Sequence, residues 1–193
     1  MTLTLPPVED LPTPRDGWQA GWHPRARRVP SPNFGPRPCG TVVDLAVVHS
    51  ISLPPGEYGG PYIEQLFTNS LDWSAHPYFE QIRGAQVSAH FLIRRDGELV
   101  QFVSCDDRAW HAGASCFEGR ANCNDYSIGI ELEGLEDEPF EPAQYEALVV
   151  LIGQLRRVYP LRTVAGHEHV APGRKRDPGR LFDWALLARR LRP

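Results

Sequence analysis

The chain has 193 residues, 41% hydrophobic and 23% charged, with a formal net charge of −4. This is the length and composition of one ordinary globular domain with a real core, not of a fibrous or disordered chain. The acidic balance argues against a general nucleic-acid binder, and no apolar run approaches the length of a membrane span.

Residues 1–17 carry Pro6, Pro7, Pro12 and Pro14 with Glu9 and Asp10, and lack the apolar stretch of a signal peptide. They read as a flexible proline-rich arm preceding a domain over 18–193, with the protein in the cytoplasm. Trp18 and Trp22 open the folded part; the nearby Arg25, Arg27 and Arg28 read as a solvated basic loop. Residues 42–49 form an apolar, β-branched run typical of a buried strand. His49 ends that run, where sites on α/β sheets commonly open.

Residues 50–60 are a loop rich in Pro and Gly, and 61–67 a short helix with Pro61 at its first turn. Residues 68–84 carry Trp73, His76, Tyr78 and Phe79, either facing a substrate or closing over the core. A second strand is expected over 88–94. Asp96-Gly97 then signals a hairpin, and 98–103 returns antiparallel. The loop at 108–113 contains Trp110 and His111, the candidates for substrate contact. Residues 127–133 alternate, which puts Ile128, Ile130 and Leu132 on one face and Glu131 and Glu133 on the other.

Residues 142–159 hold Tyr145, Leu148, Val149, Ile152, Leu155 and Tyr159 at helical spacing, a core-packing stripe. A short strand over 163–165 delivers His167 into a turn-rich loop that also holds Lys175 and Asp177. Asp183 suits the cap of a final helix over 184–191. Cys39, Cys105, Cys116 and Cys123 include no Cys-x-x-Cys pair and read as reduced thiols, with a Cys116–Cys123 disulfide as the alternative.

His49, His167 and Asp177 make a His/His/carboxylate set, which fills three tetrahedral zinc positions and leaves the fourth for water. His169 is a rival ligand two residues from His167, and Glu168 a supporting or surface group. Zinc lowers the pKa of a water toward neutrality, and amide hydrolysis also needs a base and an oxyanion donor. Glu131, an acid in an apolar strand, is the candidate base; an exposed position beside Glu133 is the other reading. Lys175 is the candidate donor, with a solvated lysine as the other reading.

Several segments together carry a family resemblance. They are residues 26–32, Val47-Val48-His49, residues 51–57, Ser88-Ala89-His90, residues 92–98, Ala109-Trp110-His111-Ala112-Gly113, Cys123-Asn124-Asp125, residues 127–134 and Gly166-His167. On these the chain, from about Trp18 onward, resembles the AmpD-type N-acetylmuramoyl-L-alanine amidases, of the zinc amidase family that includes a phage lysozyme and the peptidoglycan recognition proteins. The resemblance implies an α/β (α+β) single domain, with a mixed central sheet flanked by helices and the metal at one rim. It implies one zinc ion on His49, His167 and Asp177, with Glu131 and Lys175 catalytic. The implied reaction cleaves the amide between the lactyl group of (1,6-anhydro-)N-acetylmuramic acid and L-alanine, during cytoplasmic peptidoglycan recycling. The partner is then an anhydro-muropeptide, with neither nucleic acid nor membrane, and the chain a monomer. A peptidoglycan-fragment recognition module without catalysis is the alternative; such relatives typically lose a zinc ligand. Ser50, His169, Asn122 and Gln86 differ from what relatives commonly carry there.

Overall fold

The computed structural model describes residues 2–6 and 17–192. Its strands are β1 (Leu3–Thr4), β2 (Arg27–Arg28), β3 (Phe34–Gly35), β4 (Leu45–Ile51), β5 (Phe91–Ile93), β6 (Leu99–Gln101), β7 (Arg108–Ala109), β8 (Cys116–Phe117), β9 (Arg120–Ala121), β10 (Ser127–Glu133) and β11 (Thr163–Gly166). The α-helices are α1 (Tyr62–Phe67), α2 (Pro142–Leu155), α3 (His167–Val170) and α4 (Trp184–Arg190), joined by 3₁₀ turns at Pro77–Ile82 and Cys123–Asp125. Seven strands form one mixed sheet in the order β1-β11-β4-β10-β5-β6-β2. Four neighbours, β11, β4, β10 and β5, run parallel.

The alternation of these strands separates two cores. Ala46, Val48, Ile128, Ile130, Leu132 and Val164 project to one face and pack under Leu148, Leu151, Ile152 and Leu155 of α2. Leu45, Val47 and Ala165 project to the other, against Ala112, Phe117, Cys123, Tyr126 and Val170. Each fully buried Leu or Ile contributes about 1.5–3 kcal/mol relative to exposure. Gln144, fully buried in α2, donates to the carbonyls of Ile93 and Glu133 and accepts from the amide of Glu141. That one amide starts the helix and fixes it to β5 and β10.

Several boundaries differ from expectation. β4 starts at Leu45, not Val42, because Asp44 is occupied outside the sheet: its carbonyl accepts from Arg162 and Thr163, and its carboxylate from Arg120. β4 then continues to Ile51, opposite Glu133 of β10. α2 closes at Leu155; Tyr159 follows in a turn, yet is buried with its hydroxyl on Asp106. The expected arm divides. Leu3–Thr4 pairs with β11, and Leu3 and Leu5 are buried in the α2-side core, whereas residues 7–16 lie outside the described residues. All four cysteines are free thiols, so Cys116 and Cys123 are not bridged. Among the described residues no helix is long and apolar enough to cross a membrane.

Candidate metal centre and active site

Register alone places three of the candidate residues in one row. Glu131 is the direct partner of His49 across β10 and β4, and Gly166 is the partner of Val48 across β11 and β4. His167, the next residue, begins α3 level with His49. Gly166 permits this delivery. A Cβ there would lie 2.8 Å from Cδ of Pro178 and 3.0 Å from Nδ1 of His169. The loop that returns Asp177 to the rim could not then approach, and the Glu168 amide could not donate to the Asp177 carbonyl at 2.9 Å.

The three expected ligands meet. Nδ1 of His49 and Nδ1 of His167 lie 2.9 Å apart, and Oδ2 of Asp177 lies 3.1 and 3.0 Å from them. All three residues are buried, and they are the group of three among the described residues able to hold one metal ion. Three lone-pair atoms crowded at this distance need a cation among them, a proton or a metal. The donor set fits zinc. His169, the rival, is turned away: its Nδ1 accepts from the Gly166 amide, and its ring packs on Trp184.

The electrostatics follow from burial. It holds the His49 imidazole neutral, pushing its pKa down to about 4, and the neighbouring His167 acts the same way. Burial would raise the pKa of Asp177, but His167 and His49, in contact with its carboxylate, outweigh it and hold the carboxyl below the usual range. Glu131 goes the other way. Burial, then the charge of Asp177, push its pKa well above normal, with Lys175 partly offsetting them. Its Oε1 is 4.0 Å from Nδ1 of His49, and its Oε2 is buried with no hydrogen-bond partner in the described structure.

Glu133 is no exposed neighbour. It is buried, pairs with Nη1 of Arg94 at 2.8 Å and accepts from the amide of Gly59 at 2.7 Å. The two acids of β10 thus divide: Glu133 is paired in the structure, Glu131 is left facing the metal centre.

A cleft of about 440 Å³ opens over the site, a size suited to a small ligand. Its polar wall holds His49, His167, Asp177, Glu131 and the exposed Lys175. Leu53, Leu66, Tyr78, Ile82 and Trp110 are among its apolar lining. The 68–84 segment therefore splits: Tyr78 and Ile82 reach the cleft, whereas Phe79 is fully buried in the core beside α1. Trp110 lines the cleft, half-buried. His111 reaches the cleft but is mostly buried, with its Nδ1 2.9 Å from Nε2 of His49. This tie to His49, 62 residues away in sequence, gave no sequence signal.

The same fold recurs in known proteins. The family model described as N-acetylmuramoyl-L-alanine amidase matches residues 39–180. The 1,6-anhydro-N-acetylmuramyl-L-alanine amidase AmpD of Citrobacter freundii is 54% identical over 167 residues, covering 86% of this chain and 89% of the relative. AmpD of Escherichia coli is 53% identical over 169 residues, covering 86% and 92%. A crystal structure of a selenomethionine derivative of AmpD superposes with a TM-score of 0.85 at 52% identity, covering 91% of this chain and 98% of that one. The amidase AmiD of E. coli, solved with the substrate anhydro-N-acetylmuramic acid-L-Ala-D-γ-Glu-L-Lys, superposes with a TM-score of 0.56 at 29% identity, over 80% of this chain and 60% of that one. A family match over most of the domain and relatives more than half identical across nearly their full length give one conclusion: this chain is an enzyme of the N-acetylmuramoyl-L-alanine amidase family.

Proposed function

We propose that the chain hydrolyses the amide joining the lactyl group of 1,6-anhydro-N-acetylmuramic acid to L-alanine in muropeptides, as part of peptidoglycan recycling in the cytoplasm. Residues 18–193 form the catalytic domain in this reading, and the chain acts as a monomer. The observation that carries it is Glu131: a buried carboxylate, one strand over from His49 in direct register, with an unpartnered oxygen at the metal centre. A module that only binds fragments has no need of such a group. The AmpD names of the relatives, and the anhydromuramyl peptide bound by AmiD, favour the anhydro substrate.

His49, His167 and Asp177 are the residues that would hold one zinc ion. Zinc, when bound, supplies Lewis-acid polarisation of the scissile carbonyl and lowers the pKa of a water. Glu131 takes a proton from the attacking water at its carboxylate and returns it to the leaving nitrogen of L-alanine. Its raised proton affinity suits it to both transfers. Lys175, at the cleft wall, meets the negative charge that develops on the carbonyl oxygen. Trp110 contacts the substrate beside this centre.

Incubating the purified protein with anhydro-muramyl-tripeptide, with and without a chelator, tests the proposal. Mass analysis is expected to find free anhydro-N-acetylmuramic acid and intact tripeptide, with the chelator abolishing both. Intact substrate after prolonged incubation of zinc-loaded protein would instead favour the recognition module.

A further inference from the structure

We infer that the dipeptide His111-Ala112, anchored by Asn124 and backed by Ser127, is a positioning clamp that fixes both histidine ligands in the one tautomer able to offer Nδ1 to a metal. The inference rests on the zinc reading above and goes beyond it to residues that do not touch the metal.

A neutral imidazole carries its proton on one nitrogen only, so the partner of one nitrogen decides what the other can do. At His167 the decision is direct. Its Nε2 lies 3.1 Å from the carbonyl oxygen of Ala112. A carbonyl only accepts, so the proton sits on Nε2 and Nδ1 presents its lone pair to the cluster.

At His49 the decision passes through a chain. Nε2 of His49 lies 2.9 Å from Nδ1 of His111. Nε2 of His111 lies 3.2 Å from Oγ of Ser127, and that hydroxyl donates to the carbonyl of Cys123. The terminal carbonyl sets the direction of every bond before it. Ser127 spends its proton on Cys123, so its oxygen accepts from Nε2–H of His111. Nδ1 of His111 is then bare and accepts from Nε2–H of His49. Nδ1 of His49 is left bare toward His167 and Asp177. Two chains, each ending on a backbone carbonyl, thus converge on the same ligating edge.

The clamp is held as a unit. Oδ1 of the buried Asn124 accepts from the amides of both His111 and Ala112, at 3.2 and 2.7 Å. β10 leaves room for the ring: a Cβ on Gly129 would lie 2.4 Å from Cγ of His111. The glycine in an otherwise apolar strand is therefore required by His111 and cannot be exchanged for alanine while the ring stays in place.

Groups that orient metal ligands in this way typically carry about 10–100-fold in metal affinity. The test is zinc affinity of the full chain, measured by competition with a chromophoric chelator, together with the visible absorption of the cobalt-substituted protein. His111→Phe keeps a flat ring of similar size and removes the acceptor; His111→Gln keeps an acceptor, Oε1. Zinc binding is expected to weaken about 10–100-fold in His111→Phe. The cobalt spectrum should change with it, while His111→Gln recovers most of the affinity. Ser127→Ala removes only the outer acceptor; with the metal-free fold unchanged by circular dichroism, it is expected to weaken zinc in the same direction. It carries the test alone if the phenylalanine variant does not fold. Parent-like affinity in His111→Phe or Ser127→Ala overturns the clamp, and so does an equal loss in His111→Phe and His111→Gln, which would make ring volume the cause. A parent that binds zinc and cleaves muropeptide while these variants match it defeats the clamp alone. A parent without zinc affinity defeats the metal reading, and the clamp with it.

Discussion

Glu131→Gln is expected to keep the fold and the zinc content and to lower kcat by about 10²–10⁴-fold, the usual cost of removing a general base. Glutamine preserves the shape of the side chain and cannot take a proton from water. The same variant has a consequence for stability. The carboxyl of Glu131 has its pKa raised by burial and by Asp177. Its stabilising contribution is therefore complete below the unfolded value of about 4.3 and is lost as pH rises through the folded value. In metal-free protein the urea midpoint of Glu131→Gln should thus gain on the parent as pH rises from 4 to 8. A constant difference would mean that Glu131 titrates like an exposed acid. Glu133→Ala is the control for the strand's chemistry. It breaks a buried pair with Arg94 and should cost stability, about 3 kcal/mol, while the molecules that remain folded turn over normally. A dead but stable Glu133→Ala would put the base at the wrong carboxylate.

Lys175→Met is expected to lower kcat by about 10²–10³-fold, comparable to loss of one oxyanion donor, with KM changed far less. Methionine keeps much of the stem and removes the charge. Lys175 sits two residues before Asp177 on a loop whose return is fixed by that ligand, it lines the cleft, and its charge reaches both Glu131 and His49. A cation there opposes charge that appears only as the carbonyl becomes tetrahedral, so its loss falls on the transition state more than on binding. Zinc content should stay normal, because Lys175 is not among the clustered ligands. Steady-state kinetics on an anhydro-muropeptide decide the matter: a raised KM with kcat unchanged would assign Lys175 to holding a substrate carboxylate.

What could be read from the sequence was what local pattern encodes. β4 shows as an apolar run because a parallel central strand is covered on both faces, and β10 as an alternation that puts Ile128, Ile130 and Leu132 on one side. His49 and His167 stand out because each ends such a run, and Asp177 because Gly and Pro shape the loop around it. Helix α2 shows through its spacing, although its last turn looks helical when Tyr159 is in fact buried in a turn after Leu155. The parts that did not show depend on partners distant in the chain. Glu133 looks like a surface acid until Arg94 is beside it, and Leu3 looks like part of a loose arm until β11 offers an edge. His111 looks like a substrate-facing loop residue until the gap above Gly129 brings it behind His49. No period or composition carries such pairings, because each is a contact between segments whose spacing only the folded sheet sets.

The most direct test is a zinc titration of chelator-stripped protein with anhydro-muramyl-tripeptide as substrate. Release of anhydro-N-acetylmuramic acid should start near zero, rise in proportion to added zinc, and level off at about one equivalent per chain, as a single His/His/carboxylate site requires. Full turnover in the stripped protein before any metal is added, or cleavage within the tripeptide in place of its junction with the sugar acid, would contradict the assignment of His49, His167 and Asp177 as the centre of a zinc amidase.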